Sequence, residues 1–307
     1  MVFMMRLLPA TRWLWYRSMQ LELGTGFGAD PPETARIHII KKSPMKTDLS
    51  EILDLDVYPI DDQLFGRQCR QTLTEEGVLV LPGFVRAAAV ERIKAEGKAI
   101  QQDAYYTQSS HNVYLAPSDK EYPEAHCRNR LVESTKGCVT TDQIPSESLL
   151  HTLYGTESFK NFLCEVLEES GLYEYADQLS SINMHYASEG QELGWHFDNS
   201  SFAITLLIQK PVGGGEFQYV KDVRDADAGD MNFEQTEAIL SGDYPVESLT
   251  MDPGTLVLFR GRNSMHRVTP VTGDTTRMLV VLAYNSEPGI ALSESASNTF
   301  YGRYLPH

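Results

Sequence analysis

The sequence predicts a mainly β fold with flanking helices, its core an antiparallel double-stranded β-helix of the jelly-roll or cupin-like kind. Two observations carry this. Residues 179–290 break into short apolar runs separated by turn residues, as in a barrel or sandwich built from short strands. Within that stretch a His196-x-Asp198 pair enters one apolar run and His266 follows another, so side chains of ligand type sit at the ends of neighbouring predicted strands. A length of 307 residues, 42% hydrophobic and 22% charged, suits a single domain over 46–307, with a helical support (46–178) in front of the β-helix core (179–290).

Residues 1–45 read differently. The first twenty carry Arg6, Arg12 and Arg17, no acidic residue, and no uncharged apolar run long enough to span a bilayer. They are expected to be a leader or disordered extension: an organellar transit segment, or a stretch ahead of a true start at Met45. The expected compartment is the cytoplasm, with an organelle as the alternative. A formal net charge of -16 argues against non-specific binding to nucleic acid or an anionic membrane, since both reward basic surfaces. The 4 cysteines (Cys69, Cys127, Cys138, Cys164) form no Cys-x-x-Cys pair, which fits reduced thiols rather than a zinc site.

From Leu64 to Glu76 the pattern is helical, Gly77–Leu81 is a short strand stopped by Pro82-Gly83, and residues 85–102 return to a helix. Residues 105–144 have weak periodicity and read as loop. Arg128 and Arg130 there are candidates for a substrate carboxylate, and Glu133 for a substrate amine. Residues 148–170 give an apolar helical face interrupted at Gly155, and 179–186 a strand whose Tyr186 is a candidate hydrogen-bond donor to a bound acid. Residues 202–209, 216–220, 256–259 and 277–284 read as further strands, and 221–245 as a solvated acidic insertion.

His196 and Asp198, two apart on a strand, point the same way and can reach one ion. His266 after the next-but-one turn is the candidate third ligand. Two His and one carboxylate form the facial triad of non-haem Fe(II) oxygenases, which leaves positions open for a chelating co-substrate and O₂. Arg277, heading a buried strand, needs a partner, and its planar fork suits the far carboxylate of a dicarboxylic keto acid. Asn199 follows the pair and reaches a substrate only if the strand bends at its mouth.

With His196-x-Asp198, Gly213-Gly214-Gly215-Glu216-Phe217, His266-Arg267-Val268-Thr269-Pro270 and Arg277, the chain resembles the Fe(II)/2-oxoglutarate-dependent oxygenases over residues 180–285. The resemblance implies Fe(II), 2-oxoglutarate and O₂ as cofactor and co-substrates, and a hydroxylation that yields succinate and CO₂. The tail Phe300-Tyr301-Gly302-Arg303 is similar to the pocket-closing segment of the free-amino-acid hydroxylases related to radical halogenases, which makes Tyr301 a candidate substrate contact. Halogenases of that subgroup carry a small residue where this chain has Asp198, so hydroxylation of a small molecule, an amino acid, is expected. A peptidyl prolyl or lysyl hydroxylase and a non-catalytic metal-binding jelly roll are the alternatives. A homodimer is compatible with all three.

Overall fold

The computed structural model describes residues 48–306, and the expectations for residues 1–45 and for Met45 as a start lie outside them. The described residues belong to one compact unit, Lys46–His307. In chain order they form α1 (Leu49–Ile52), α2 (Gln63–Glu76), β1 (Val78–Leu81), α3 (Ala87–Ile100), β2 (Tyr105–Asn112), β3 (Leu131–Val139), α4 (Leu149–Gly155) and α5 (Glu157–Leu167). There follow β4 (Ile182–Ala187), β5 (Leu193–His196), β6 (Ala203–Gln209), β7 (Gly213–Gly214), β8 (Phe217–Val220), α6 (Phe233–Ser241) and β9 (Glu247–Leu249). The chain ends with β10 (Leu256–Phe259), β11 (Met265–Val268), β12 (Val271–Thr272), β13 (Arg277–Leu282) and α7 (Glu294–Tyr301). Among the described residues no helix is long and apolar enough to cross a membrane.

The strands pair antiparallel in the order β1-β10-β6-β13-β4-β3-β5-β11-β8-β9, with β2 on β3 and a separate pair of β12 with β7. This is the expected β-rich core. Alternation along each strand divides the two faces of the sheet. On β13, Met278, Val280 and Leu282 are buried in the same apolar cluster as Ile93 of α3, Leu153 of α4 and Phe162 of α5. Arg277, Leu279 and Val281 alternate with them and face the other way, into the interior of the curved sheet. The helices are ended by ordinary capping chemistry: the Asp62 carboxylate accepts from Leu64 N–H at 2.6 Å to start α2, and Gly77 at φ 73° ends it before β1.

Phe84, just after the Pro82-Gly83 turn, is fully buried, its ring 5.4 Å from Tyr58, 6.0 Å from Phe159 and 6.4 Å from Phe162. This aromatic cluster joins the first helices to the back of the sheet.

In secondary structure, two stretches depart from the sequence reading. Residues 105–112 and 131–139, read as loop, are a pair of strands with eight residues in register, Tyr105↔Cys138 to Asn112↔Leu131. β2 is Tyr-Tyr-Thr-Gln-Ser-Ser-His-Asn, polar on both faces, so no apolar alternation marks it; backbone pairing with β3 makes it a strand. The acidic insertion contains α6, started by the Asn232 side chain accepting from Gln235 N–H and anchored by buried Thr236 and Ile239.

Phe84→Ala is expected to destabilise the fold by about 3–5 kcal/mol through the cavity it leaves. Urea unfolding followed by far-UV circular dichroism checks this, and a loss below about 1 kcal/mol would show that the cluster is not a keystone of the support.

Candidate active site

β5 and β11 are antiparallel neighbours, and His196 stands directly opposite His266. Side chains of such a pair share a face, and the two imidazole centroids are 4.1 Å apart. Asp198, two residues past His196, turns back toward both: its Oδ1 lies 3.7 Å from His196 Nε2 and 3.6 Å from His266 Nε2. The three donor atoms all fall within 4.8 Å of one another. Each imidazole is oriented from behind. Nδ1 of His196 donates to the Gly194 carbonyl at 2.8 Å, and Nδ1 of His266 to the Ser264 carbonyl at 3.0 Å, which leaves both Nε2 lone pairs aimed at the shared point.

The donor set fits a divalent ion on two independent grounds. Asp198 Oδ2 is buried with no hydrogen-bond partner, a costly state for a carboxylate oxygen unless something positive meets it. Gly261 provides the room. Its carbonyl accepts from Asp198 N–H at 3.0 Å, and a Cβ there would run into Asp198 Oδ2 and stand 3.0 Å from His266 Cε1. Burial, with the neighbouring His266 ring, holds His196 neutral. Burial alone would push Asp198 up, but the His266 and His196 imidazoles and Lys136 outweigh it and keep the carboxyl below its ordinary range. His196 and Asp198 are therefore in the protonation states that a metal requires.

Arg277 is buried at the head of β13, and among the described residues no carboxylate stands within salt-bridge distance of it. Burial brings its guanidinium down to about 10, yet it remains charged at neutral pH. Gly215 at φ 62° lets the chain pass close by: its Cβ position would be 3.0 Å from Arg277 Cδ. On the adjacent strand β4, His185 pairs with Leu279 and with Cys138 of β3. Lys136, two residues before Cys138, shares that interior face and brings its Nζ to 3.4 Å from both His185 ring nitrogens.

Tyr186 is corrected. Its neighbour His185 faces the interior, so Tyr186 faces the helices; it is fully buried there and its hydroxyl donates to the Gly97 carbonyl of α3 at 2.8 Å. It is a packing residue with its phenol satisfied, out of reach of a co-substrate. Tyr301, in contrast, comes to the interior face: its hydroxyl donates to Asn183 Oδ1 at 2.9 Å, two residues before His185. Arg130 is paired with Glu237, and Arg128 donates to the Pro117 carbonyl at 3.0 Å beside the Tyr114 ring, so neither hydrogen-bonds to the triad. Glu133 is exposed and bonded to Ser110 Oγ. Asn199 is exposed, its backbone carbonyl accepting from Arg262 Nη1 at 3.2 Å.

Three contributors escaped the sequence reading as site residues. Gly261 and Lys136 have no motif of their own. Ser134 links the recess to the ligand strand: its Oγ meets His111 Nε2 at 2.7 Å and accepts from Gly194 N–H at 3.0 Å, and the His111 ring lies 6.1 Å from that of His196.

Two expected outcomes follow from this geometry. Gly261→Ala weakens Mn(II) or Fe(II) binding, measured by calorimetry, on the order of 10–100-fold, with the fold retained; wild-type affinity would remove Gly261 from the site. His185 is held well below its ordinary 6.5 by burial, then by Lys136 and Arg277. The unfolded chain therefore takes up that proton first, so stability is full above about pH 6.5 and falls as pH drops below it. His185→Gln makes the melting temperature of metal-free protein less sensitive to pH between about 5 and 6.5, and an unchanged slope would show that His185 protonates freely in the fold.

Comparison with known proteins finds the same fold elsewhere. A non-haem α-ketoglutarate-dependent epimerase from nogalamycin biosynthesis, SnoN, superposes with a TM-score of 0.51 at 11% identity, covering 73% of this chain and 84% of that one. The non-haem α-ketoglutarate-dependent carbocyclase SnoK of the same biosynthesis gives 0.50 at 14% identity, covering 78% and 93%. A 2OG-Fe(II) oxygenase family oxidoreductase from Burkholderia pseudomallei gives 0.47 at 16% identity, covering 73% and 92%. At these identities the first two establish the shared fold. A search of curated proteins finds no match. The family model described as Halogenase D matches residues 61–300, which take in every member of the triad and Arg277. The chain belongs to the Halogenase D family.

Proposed function

We propose that the protein is an Fe(II)- and 2-oxoglutarate-dependent oxygenase that hydroxylates an unactivated C–H bond of a small substrate, a free amino acid, releasing succinate and CO₂. The observation that carries the reading is Arg277, a buried guanidinium without a carboxylate partner among the described residues, on an interior face shared with the residues around the triad. A metal-binding jelly roll without turnover has no use for such a cation.

His196, Asp198 and His266 would hold the iron, and Arg277 the far carboxylate of 2-oxoglutarate. Bound there, the iron and the keto acid supply O₂ activation and C–H oxidation, which is cofactor chemistry. The protein's share is orientation and exclusion. The Gly194 and Ser264 carbonyls hold the ligand imidazoles in one tautomer and one direction. Phe259 and Phe217 pack on His266 with centroids at 4.8 and 5.6 Å, keeping that side of the site apolar.

Asp198 supports hydroxylation rather than halogenation, although the family is named for the latter. Its carboxylate stands where the halogenases of the resembled subgroup leave a place for chloride, and its unpartnered Oδ2 suits a metal. An enclosed small substrate, rather than a peptide, is supported by the tail. Tyr301 ties α7 to Asn183, and Arg303 donates to Asp142 at 2.7 and 2.9 Å and to Thr140 Oγ1 at 2.6 Å, closing one end of the interior face.

The test is anaerobic loading with Fe(II), then O₂ and 2-oxoglutarate in chloride-containing buffer, with succinate and product mass followed across lysine, ornithine, arginine and leucine. The expected result is succinate that depends on one amino acid, a product heavier by one oxygen atom, no chlorinated product, and no turnover in His266→Ala. Arg277→Met should raise the KM for 2-oxoglutarate at least roughly tenfold. If 2-oxoglutarate binds but no amino acid couples its turnover, the substrate class is wrong and peptides come next.

A further inference from the structure

Two cations, not one, line the interior face beside the triad. Lys136 of β3 and Arg277 of β13 flank His185 of β4, in a row fixed by the pairings Cys138↔His185 and His185↔Leu279. Among the described residues neither cation has a carboxylate within salt-bridge distance. Between them His185 stays neutral, because burial and both positive neighbours oppose its protonation. Lys136 is itself desolvated, which brings its ammonium down from the usual lysine value, and the carboxylate whose field reaches it is Asp198, committed to the triad. A half-buried ammonium that faces a neutral imidazole and no carboxylate adds little to a fold, and replacing it with an apolar side chain of similar size would ordinarily cost little. A ligand that brings negative charge changes that balance.

Lys136 and Arg277 differ in position. In the sheet β3 lies between β4 and the ligand strand β5, so Lys136 stands on the metal side of His185, whereas Arg277 of β13 stands on the far side, at the Gly215 turn. We infer that Lys136 binds the carboxylate of 2-oxoglutarate nearer the metal, so that the co-substrate lies between two cations with the His185 ring along its length. This rests on the oxygenase reading above and names a residue that the triad-plus-arginine pattern leaves out. Arg277 then selects for a second carboxylate, while Lys136 adds affinity for any 2-oxo acid.

The division of labour is testable without turnover. In anaerobic, Mn(II)-loaded full-length protein, binding of 2-oxoglutarate and of the monoacid 2-oxobutyrate is measured by calorimetry, the weaker by competition. Lys136→Met is expected to weaken both by a similar factor, roughly ten- to hundredfold, with Mn(II) affinity not reduced and melting temperature equal or higher. Lys136→Arg keeps most of the affinity. Arg277→Met weakens 2-oxoglutarate but leaves 2-oxobutyrate nearly untouched. Affinities in Lys136→Met within about threefold of wild type, or a loss confined to 2-oxoglutarate, would overturn the assignment; if Lys136→Met fails to fold, Lys136→Gln carries the same comparison. A wild-type protein that binds Mn(II) but no 2-oxoglutarate overturns the oxygenase reading and this inference together, whereas normal wild-type binding with an unaffected lysine variant overturns this inference alone.

Discussion

The site depends on one register: His196 opposite His266 across β5 and β11. Antiparallel pairing puts directly opposed side chains on one face, and a slip of one residue would turn one imidazole out of the site. Much nearby structure secures that register. Ser134 of β3 binds Gly194 N–H, the Gly194 carbonyl takes the His196 Nδ1 proton, and β11 is held from its other edge by β8 through His266↔Tyr219. Asp198 needs no strand of its own, because its N–H bonds to Gly261 in the turn before β11.

Charge is the second organising constraint. The interior face of β3, β4 and β13 carries Lys136, His185 and Arg277, where a purely structural sheet would place Val or Leu. The opposite face of the same strands is an uninterrupted apolar layer of Met184, Tyr186, Met278, Val280 and Leu282 under the helices. The sheet thus separates its two faces by parity: even positions of β13 pack under the helices, whereas the other face carries the cations Lys136 and Arg277 with His185 between them. Stability lost on one face is offset on the other, where Phe84, Phe159 and Phe162 complete the packing.

Parity also explains which readings failed. Tyr186 lies next to residues that face the interior, and in a sequence a phenol one position from the site looks like a ligand. Alternation sends it to α3. β2 was invisible for the converse reason, since its side chains are polar on both faces and only the backbone ladder to β3 declares it a strand.

The sequence by itself determined the β-rich class and the helices of the support, and it singled out His196, Asp198 and His266, which the fold brings together, and Arg277, which it buries. These rest on local features: apolar runs of strand length, His-x-Asp spacing, and a cation heading an apolar run. Tertiary structure decided what depends on residues distant in the chain meeting. That Gly261 must lack a side chain follows from Asp198, over sixty residues away, folding back against it. That Lys136 belongs with Arg277 follows from β3 and β13 both pairing with β4, and that Arg130 does not follows from its pairing with Glu237. Periodicity along a chain sets which way a side chain points, but only the pairing of strands sets what it meets.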